Sequence, residues 1–148
     1  MRYLLDTNTV ADIYDSEAAN RPKLLRRIRL LKDEDELCIS ILSHCELQYG
    51  YENAPPEIKE KTRKEIQTIL TDFVVLPLRG NVATQYAKLK YGVKGLRQIT
   101  RDKLKRYNID MLLAATALEE DCILVSEDSI YKDLQKVIPD LRVENWIE

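Results

Sequence analysis

The strongest constraint on the fold is an alternation between short apolar segments and longer segments with helical periodicity. Four apolar segments have the length of buried strands, at residues 3–5, 37–39, 73–76 and 122–125, and a terminal strand is predicted at residues 141–146. The stretches between them are long enough for the helical crossovers that parallel strands require. The pattern therefore predicts an α/β fold, in which a central, mostly parallel sheet lies between two layers of helices.

The intervening segments contain several amphipathic patterns and one that is apolar nearly all round. Pro22 suits the first turn of a helix, and Gly92 and Gly95 are expected to loosen the chain after a helix that ends near Tyr91. Asn108 is predicted to cap a helix whose body, residues 111–118, carries almost no polar side chain. A helix without a polar face must be deeply buried, and its alanines allow it to lie close to the sheet.

Length and composition favour one ordinary globular domain covering residues 1–148. Hydrophobic residues make up 45% and charged residues 32% of the chain, as in soluble proteins. No apolar run is long enough to cross a bilayer or to form the core of a signal peptide, so we expect no membrane association and a cytoplasmic protein. Cys38, Cys45 and Cys122 lie in apolar segments without paired spacing, and we expect them to be core thiols.

Four acids stand where a predicted strand ends or a helix begins: Asp6, Glu46, Asp110 and Asp128. Each has a structural alternative as a helix cap, and Ser43 with Glu46 matches a capping box. In a parallel sheet, however, these junctions share one edge, and two like charges about 4 Å apart cost on the order of 4 kcal/mol at intermediate dielectric. A bound cation relieves that repulsion, and oxygen ligands alone favour Mg²⁺, or Mn²⁺ in its place.

The motifs around these acids resemble, in order and spacing, the PIN-domain nucleases, and most closely the VapC-type toxins of prokaryotic toxin–antitoxin pairs. The matching segments are residues 4–8, 39–50, 108–118 and 124–128. The resemblance implies a three-layer α/β/α PIN-like domain with a divalent-metal site that cuts RNA. It assigns the family's acids to Asp6, Glu46, Asp110 and Asp128, and its supporting polar positions to Thr7, Asn8 and Ser126.

The fourth acid is the least certain of these assignments, because Glu127 directly precedes Asp128 in the same turn. The predicted reaction is metal-assisted phosphodiester hydrolysis, in which no residue acts as a covalent nucleophile. The family also implies a small antitoxin that covers the active site, and a homodimer. The apolar helix faces at residues 24–31 and 58–70 are the candidate contact surfaces.

The segment from Lys88 to Arg106 has the strongest basic bias in the chain, with Asp102 as its single acid. It enters the predicted site just before Asp110, and it is either an RNA phosphate-binding segment or a solvated loop. The predicted RNA contacts are Arg101, Lys103, Lys105 and Arg106.

Two other functions fit parts of the pattern. A metal-dependent phosphatase of the haloacid-dehalogenase kind also begins with an acid after its first strand, but it needs a second acid two residues later, where this chain has Asn8. A catalytically silent module that binds RNA or protein needs none of the four acids, so their joint presence favours the nuclease.

Overall fold

The computed structural model describes residues 1–148 and contains one five-stranded sheet with the strand order β3-β2-β1-β4-β5. Every neighbouring pair of strands is parallel, so the sheet predicted as mostly parallel is entirely parallel. All five predicted segments contribute strands. Their bounds are β1 Arg2–Leu5, β2 Glu36–Ser40, β3 Val74–Leu76, β4 Ile123–Val125 and β5 Arg142–Glu144.

Helices connect each strand to the next. A 3₁₀ turn, Lys105–Tyr107, joins the sixth helix to the seventh. The helices are α1 Thr7–Tyr14, α2 Arg21–Arg29, α3 Ile41–Asn53, α4 Pro56–Asp72, α5 Val82–Arg97, α6 Arg101–Leu104, α7 Asn108–Glu119 and α8 Ile130–Val137. None of them is long and apolar enough to cross a membrane.

Side chains on alternate faces of the strands enter two separate hydrophobic cores. Leu4, on one face of β1, packs with residues of α5, α7 and α8. Leu5, on the opposite face, packs with residues of α1, α2 and α4. Successive residues of a strand point to opposite faces. The two cores therefore define the predicted three layers, with the sheet in the middle.

The helix α7 is as deeply buried as its composition predicts, with Ala114, Ala115 and Thr116 fully shielded from solvent. Its small side chains allow close packing against the sheet and against α5. Asn108 does not cap it as predicted, because Asn108 is already the first helical residue and its Oδ1 accepts hydrogen bonds from Tyr86 and Lys90.

The predicted loosening of the chain at Gly92 and Gly95 is wrong, since α5 continues through both residues to Arg97. Gly92 is needed for packing rather than flexibility. A Cβ atom at this position would lie 2.4 Å from Cγ1 of Val137, so α5 approaches α8 more closely than a larger residue permits.

One of the three cysteines differs from the expectation of core thiols. Cys45 is exposed on α3, whereas Cys38 and Cys122 are buried as predicted. The apolar face of α2 packs onto the chain's own core through Leu24, and that of α4 does so through Ile66 and Ile69. Part of each predicted contact face is therefore internal, whereas Leu30 directly after α2 and Ile58 on α4 are exposed.

Candidate active site

The strand order contains one point where the chain changes direction across the sheet. After β1 it builds outward through β2 and β3, and it then returns to add β4 and β5 on the other side of β1. In open α/β sheets, ligands bind beyond the carboxyl ends of the strands at such a switch point. Asp6 and Ser126 are the residues that directly follow β1 and β4 at this position.

Asp6 is buried and held by two donors. Its Oδ1 accepts the backbone N–H of Thr9 at 2.8 Å, which makes Asp6 the N-cap of α1, and its Oδ2 accepts a hydrogen bond from the hydroxyl of Ser126. The cap is therefore real. The cap leaves lone pairs of the carboxylate free, because each oxygen accepts only one of these hydrogen bonds and has a second lone pair that can coordinate an ion.

Glu46 extends from α3 and is held by a short chain of hydroxyl groups. Thr7 Oγ1 lies 2.9 Å from Oε1 of Glu46 and 2.9 Å from Oγ of Ser43. A hydroxyl has one proton and a carboxylate only accepts, so Thr7 donates to Glu46 and accepts from Ser43. The alternative capping box is wrong, since Ser40 caps α3 and Ser43 is a buried residue within the helix.

Asp110 lies in the first turn of α7, where a negative charge interacts favourably with the helix dipole. Its Oδ1 accepts a hydrogen bond from the hydroxyl of Tyr131 at 3.3 Å. Burial and the neighbouring charges, first Asp128 and then Asp6 and Glu46, raise the pKa of Asp110 to about 6, and the Tyr131 hydrogen bond opposes them. The other three acids thus lie close enough to Asp110 to disfavour its ionised form.

Asp128 follows β4 and lies beside Ser126. Its backbone N–H donates to Ser126 Oγ at 3.1 Å, and its Oδ1 accepts the N–H of Ile130 at 3.0 Å. Glu127 lies on the wall of a different, much smaller crevice, which Asn8 also lines. Of the two neighbouring acids, the structure therefore places Asp128 beside the other three.

All four predicted acids line a single cleft of about 260 Å³. None of them forms an ion pair with a basic side chain of the protein. The remaining lining residues are Thr7, Asn8, Arg106, Ile109 and Leu113. Four acids and a single arginine therefore leave the cleft with an excess of negative charge, and no ion pair within the protein neutralises these acids.

The donor set suits a hard divalent cation, because every candidate ligand is an oxygen. As the side chains stand, no three His, Cys, Asp or Glu residues are grouped closely enough to hold a metal ion by themselves. Mg²⁺ is commonly held by one or two carboxylates and keeps several waters. The acids thus fit such an ion if water completes its coordination.

Of the four predicted RNA contacts, the structure places only Arg106 on the cleft wall. Arg101 and Lys103 lie on α6 and Lys105 on the 3₁₀ turn, all exposed and away from the cleft lining. Lys90, from the same basic segment, bonds to Tyr86 and Asn108. Much of the segment therefore supports the entry into α7 or faces solvent.

Two residues that support the acids were missed from the sequence: Tyr131 bonds to Asp110 directly, and Ser43 bonds to Thr7, which holds Glu46. Ser43 lies in a Ser-x-x-Glu pattern that resembles a cap, so its contact with Thr7 was hidden. Tyr131 stands next to Ile130 in a short amphipathic segment and looks like an ordinary core residue. No local spacing signals that either hydroxyl reaches a residue of another element.

The family model of the PIN domain matches residues 3–137 of this chain. The chain belongs to the PIN domain family. The matched region includes all four acids and every strand except β5. The resemblance predicted from the motifs is thereby confirmed, and PIN-family membership supports a nuclease over the phosphatase alternative.

Solved structures with the same fold include chains of two VapBC structures and of FitAcB. VapBC2 from Rickettsia felis, bound to a promoter DNA fragment, matches with a TM-score of 0.76 and 25% identity over 99% of both chains. VapBC-1 from nontypeable Haemophilus influenzae matches with a TM-score of 0.77 and 22% identity over 100% of both chains. FitAcB from Neisseria gonorrhoeae matches with a TM-score of 0.77 and 21% identity over 97% of both chains.

These matches agree with the VapC type to which the motifs point. No curated protein sequence matches the chain. The PIN domain assignment therefore rests on the family model and on the shared fold.

Proposed function

We propose that this protein is a Mg²⁺-dependent endoribonuclease of the VapC toxin type, with Mn²⁺ able to replace Mg²⁺. The observation that carries the proposal is the cleft at the switch point, where acids from four separate elements meet without a basic partner. Membership in the PIN domain family supports the reaction class. The VapBC matches support the toxin role.

In this proposal Asp6, Glu46, Asp110 and Asp128 hold the ion, directly or through water. Bound there, the ion supplies Lewis acidity and positive charge for hydrolysis of a phosphodiester. Asp6 is fixed by the α1 cap and by Ser126, and Glu46 by Thr7. These hydrogen bonds orient the carboxylates before substrate arrives, which reduces the reorganisation needed during the reaction.

RNA is the proposed substrate, and Arg106 is its proposed phosphate contact within the cleft. A guanidinium group recognises a phosphate through paired N–H donors without reading the base. The cleft, at about 260 Å³, is small for a ligand site, and that size favours one flexible strand over a duplex. No aromatic side chain lines the cleft to stack on a base.

A small antitoxin is the proposed protein partner, because the matched structures are VapBC complexes. A groove of about 740 Å³ between α1, α3 and α4 is the proposed binding surface, with Leu47 and Ile66 among its apolar residues. Thr7 and Glu46 line both this groove and the cleft. A partner in the groove would therefore lie beside the acids.

Homodimer formation stays a prediction. Sedimentation velocity of the chain alone measures it directly. A monomer at micromolar concentration would contradict it.

The test of the proposed function is cleavage of RNA by purified protein with Mg²⁺, with excess EDTA, and after Asp6→Ala. We expect cleavage only by the wild type with Mg²⁺. Glu127→Gln is the matched control, because Glu127 is an acid near the site that does not line the cleft, and it should cleave normally.

Undiminished cleavage by folded Asp6→Ala, or cleavage in EDTA, would remove the proposed site. RNA that is bound by the wild type with Mg²⁺ but never cut would instead favour the silent binding module.

A further inference from the structure

We propose that Tyr131 is a positioning residue for Asp110: its hydroxyl holds one carboxylate oxygen and leaves the other free for the cation. This inference rests on the proposed metal-dependent function. Tyr131 belongs to α8 and Asp110 to α7, so the contact joins two elements that pack on the same face of the sheet.

The burial of Tyr131 fixes where its hydroxyl lies. The side chain is 0% exposed and packs in the core cluster beneath α5, α7 and α8. Its hydroxyl makes one hydrogen bond, to Oδ1 of Asp110 at 3.3 Å. An aromatic ring that is held on all sides has little freedom to move, so it restricts the carboxylate to which it bonds.

The same arrangement occurs at three of the acids. Thr7 holds Oε1 of Glu46, the N–H of Ile130 holds Oδ1 of Asp128, and Tyr131 holds Oδ1 of Asp110. In each case the second oxygen makes no hydrogen bond to the protein. One fixed oxygen and one free oxygen is the arrangement expected of a carboxylate that is oriented for a cation.

A structural explanation competes with this one, because a buried hydroxyl needs a partner whatever its function. The two explanations differ in what the bond controls. If the bond only satisfies the tyrosine, its removal leaves cation binding unchanged. If the bond positions Asp110, its removal weakens cation binding even when the fold is intact.

The experiment is a Mn²⁺ titration, by calorimetry and by electron paramagnetic resonance, of wild type and Tyr131→Phe. Phenylalanine keeps the ring and removes only the hydroxyl. We expect the Kd for Mn²⁺ to rise about 10-fold, the lower end of the range for residues that orient metal ligands, because the bond is long. Circular dichroism should show the wild-type fold.

Tyr14→Phe is the matched control. The Tyr14 hydroxyl also donates to a carboxylate, that of Asp72 at 2.6 Å, but Asp72 does not line the cleft. We expect its Mn²⁺ affinity to equal that of the wild type.

A double-mutant cycle with Asp110→Asn tests whether Tyr131 acts through Asp110. In the Asp110→Asn background, Tyr131→Phe should weaken Mn²⁺ binding by less than a further factor of about 2. The effects of two substitutions do not add when one residue acts through the other. An equal loss in both backgrounds would overturn the inference, and this comparison holds even if the single variant is less stable.

The outcomes separate the inference from the proposed function. Wild-type affinity in Tyr131→Phe, with weakened binding in Asp6→Ala, overturns the role of Tyr131 and leaves the metal site standing. No Mn²⁺ binding by the wild type overturns both.

Discussion

A carboxylate lies at each end of α7, the half-buried Asp110 and the buried Glu120, and the two have opposite electrostatic surroundings. At the amino end Asp110 faces three other acids across the cleft, without a basic partner. Directly after the carboxyl end of α7, Glu120 pairs with Arg79 and with Arg2, the first residue of β1. The same helix therefore separates a charge that the protein neutralises from one that it leaves exposed to a ligand.

Glu120 shows what a structural carboxylate looks like in this fold. Arg79 donates to its two oxygens at 2.6 and 2.9 Å, and Arg2 donates at 3.3 Å. The hydrogen bonds from Arg79, and then from Arg2, lower the pKa of Glu120 although its burial opposes them. Its charge is neutralised within the protein by the two arginines.

Asp110 shows the contrary case, since burial and neighbouring acids raise its pKa to about 6. Because the folded state disfavours the ionised form of Asp110, the negative charge at this position lowers the stability of the fold. Perturbed carboxylates that share a cleft are typical of functional sites. The contrast shows that Asp110 is held beside the other acids at some cost in the stability of the folded chain, as the proposed cation site requires.

The largest expected effect comes from neutralising the amino end. Asp110→Asn should lower RNA cleavage more than about 100-fold, because loss of a ligand should exceed the loss caused by a residue that only supports one. The measurement is the initial cleavage rate with saturating Mg²⁺. A folded Asp110→Asn protein that retains wild-type activity would show that Asp110, like Glu120, is not needed for cleavage.

Neutralising the carboxyl end should have the opposite profile. Glu120→Gln should lower the free energy of unfolding by about 2 kcal/mol, because it weakens charged hydrogen bonds to two arginines. Cleavage by the folded variant should stay at the wild-type level. Denaturant unfolding and the cleavage assay measure the two effects. A catalytic loss as large as that of Asp110→Asn would show that the ends are not distinct.

The pH dependence of stability should have opposite signs at the two ends. Without divalent ions, the folded state keeps the Asp110 proton between pH 3.8 and about 6, where the unfolded chain has lost it. The contribution of Asp110 to stability therefore falls as pH rises through this window. Glu120 contributes fully above its ordinary pKa of 4.5, and its contribution is lost as pH falls below that value.

Unfolding curves at several pH values in EDTA measure these contributions as differences from the variants. Asp110→Asn should become more stable than the wild type as pH rises to about 6. The deficit of Glu120→Gln should shrink below pH 4.5. A pH-independent difference for Asp110→Asn would mean that its carboxyl group is not perturbed as described.

The smallest expected effect concerns the basic side chains near the amino end. Arg106→Gln should raise KM for RNA about 5-fold, in line with the loss of one phosphate contact. Lys103→Gln should change KM little, because Lys103 does not line the cleft. Cleavage kinetics at low salt measure both. Equal effects would assign RNA binding to the basic segment as a whole.

The sequence predicts the framework of this site because its signals are local. Short apolar runs identify four of the five strands, and the composition of residues 111–118 identifies the buried helix. Once the strands are parallel, chain geometry brings acids that follow them to one edge. The positions of Asp6, Glu46, Asp110 and Asp128 on a common cleft follow from that geometry.

The remaining features depend on contacts between elements that are distant in sequence. Gly92 resembles a flexible point until Val137 of α8 is known to lie against it. Cys45 lies in an apolar stretch, but the face of α3 that carries it is exposed. Tyr131 has the appearance of a core residue, and only the packing of α8 beside α7 places its hydroxyl near Asp110.

The central claim is that the four acids form one cation site, and calorimetric titration of Mn²⁺ into wild type and Asp6→Ala tests it most directly. Asp6 is the best choice because it follows the central strand and lines the cleft with the other three acids. We predict saturable binding to the wild type and at least about 10-fold weaker binding to folded Asp6→Ala. Equal binding to both proteins, or no binding to the wild type, would contradict the claim.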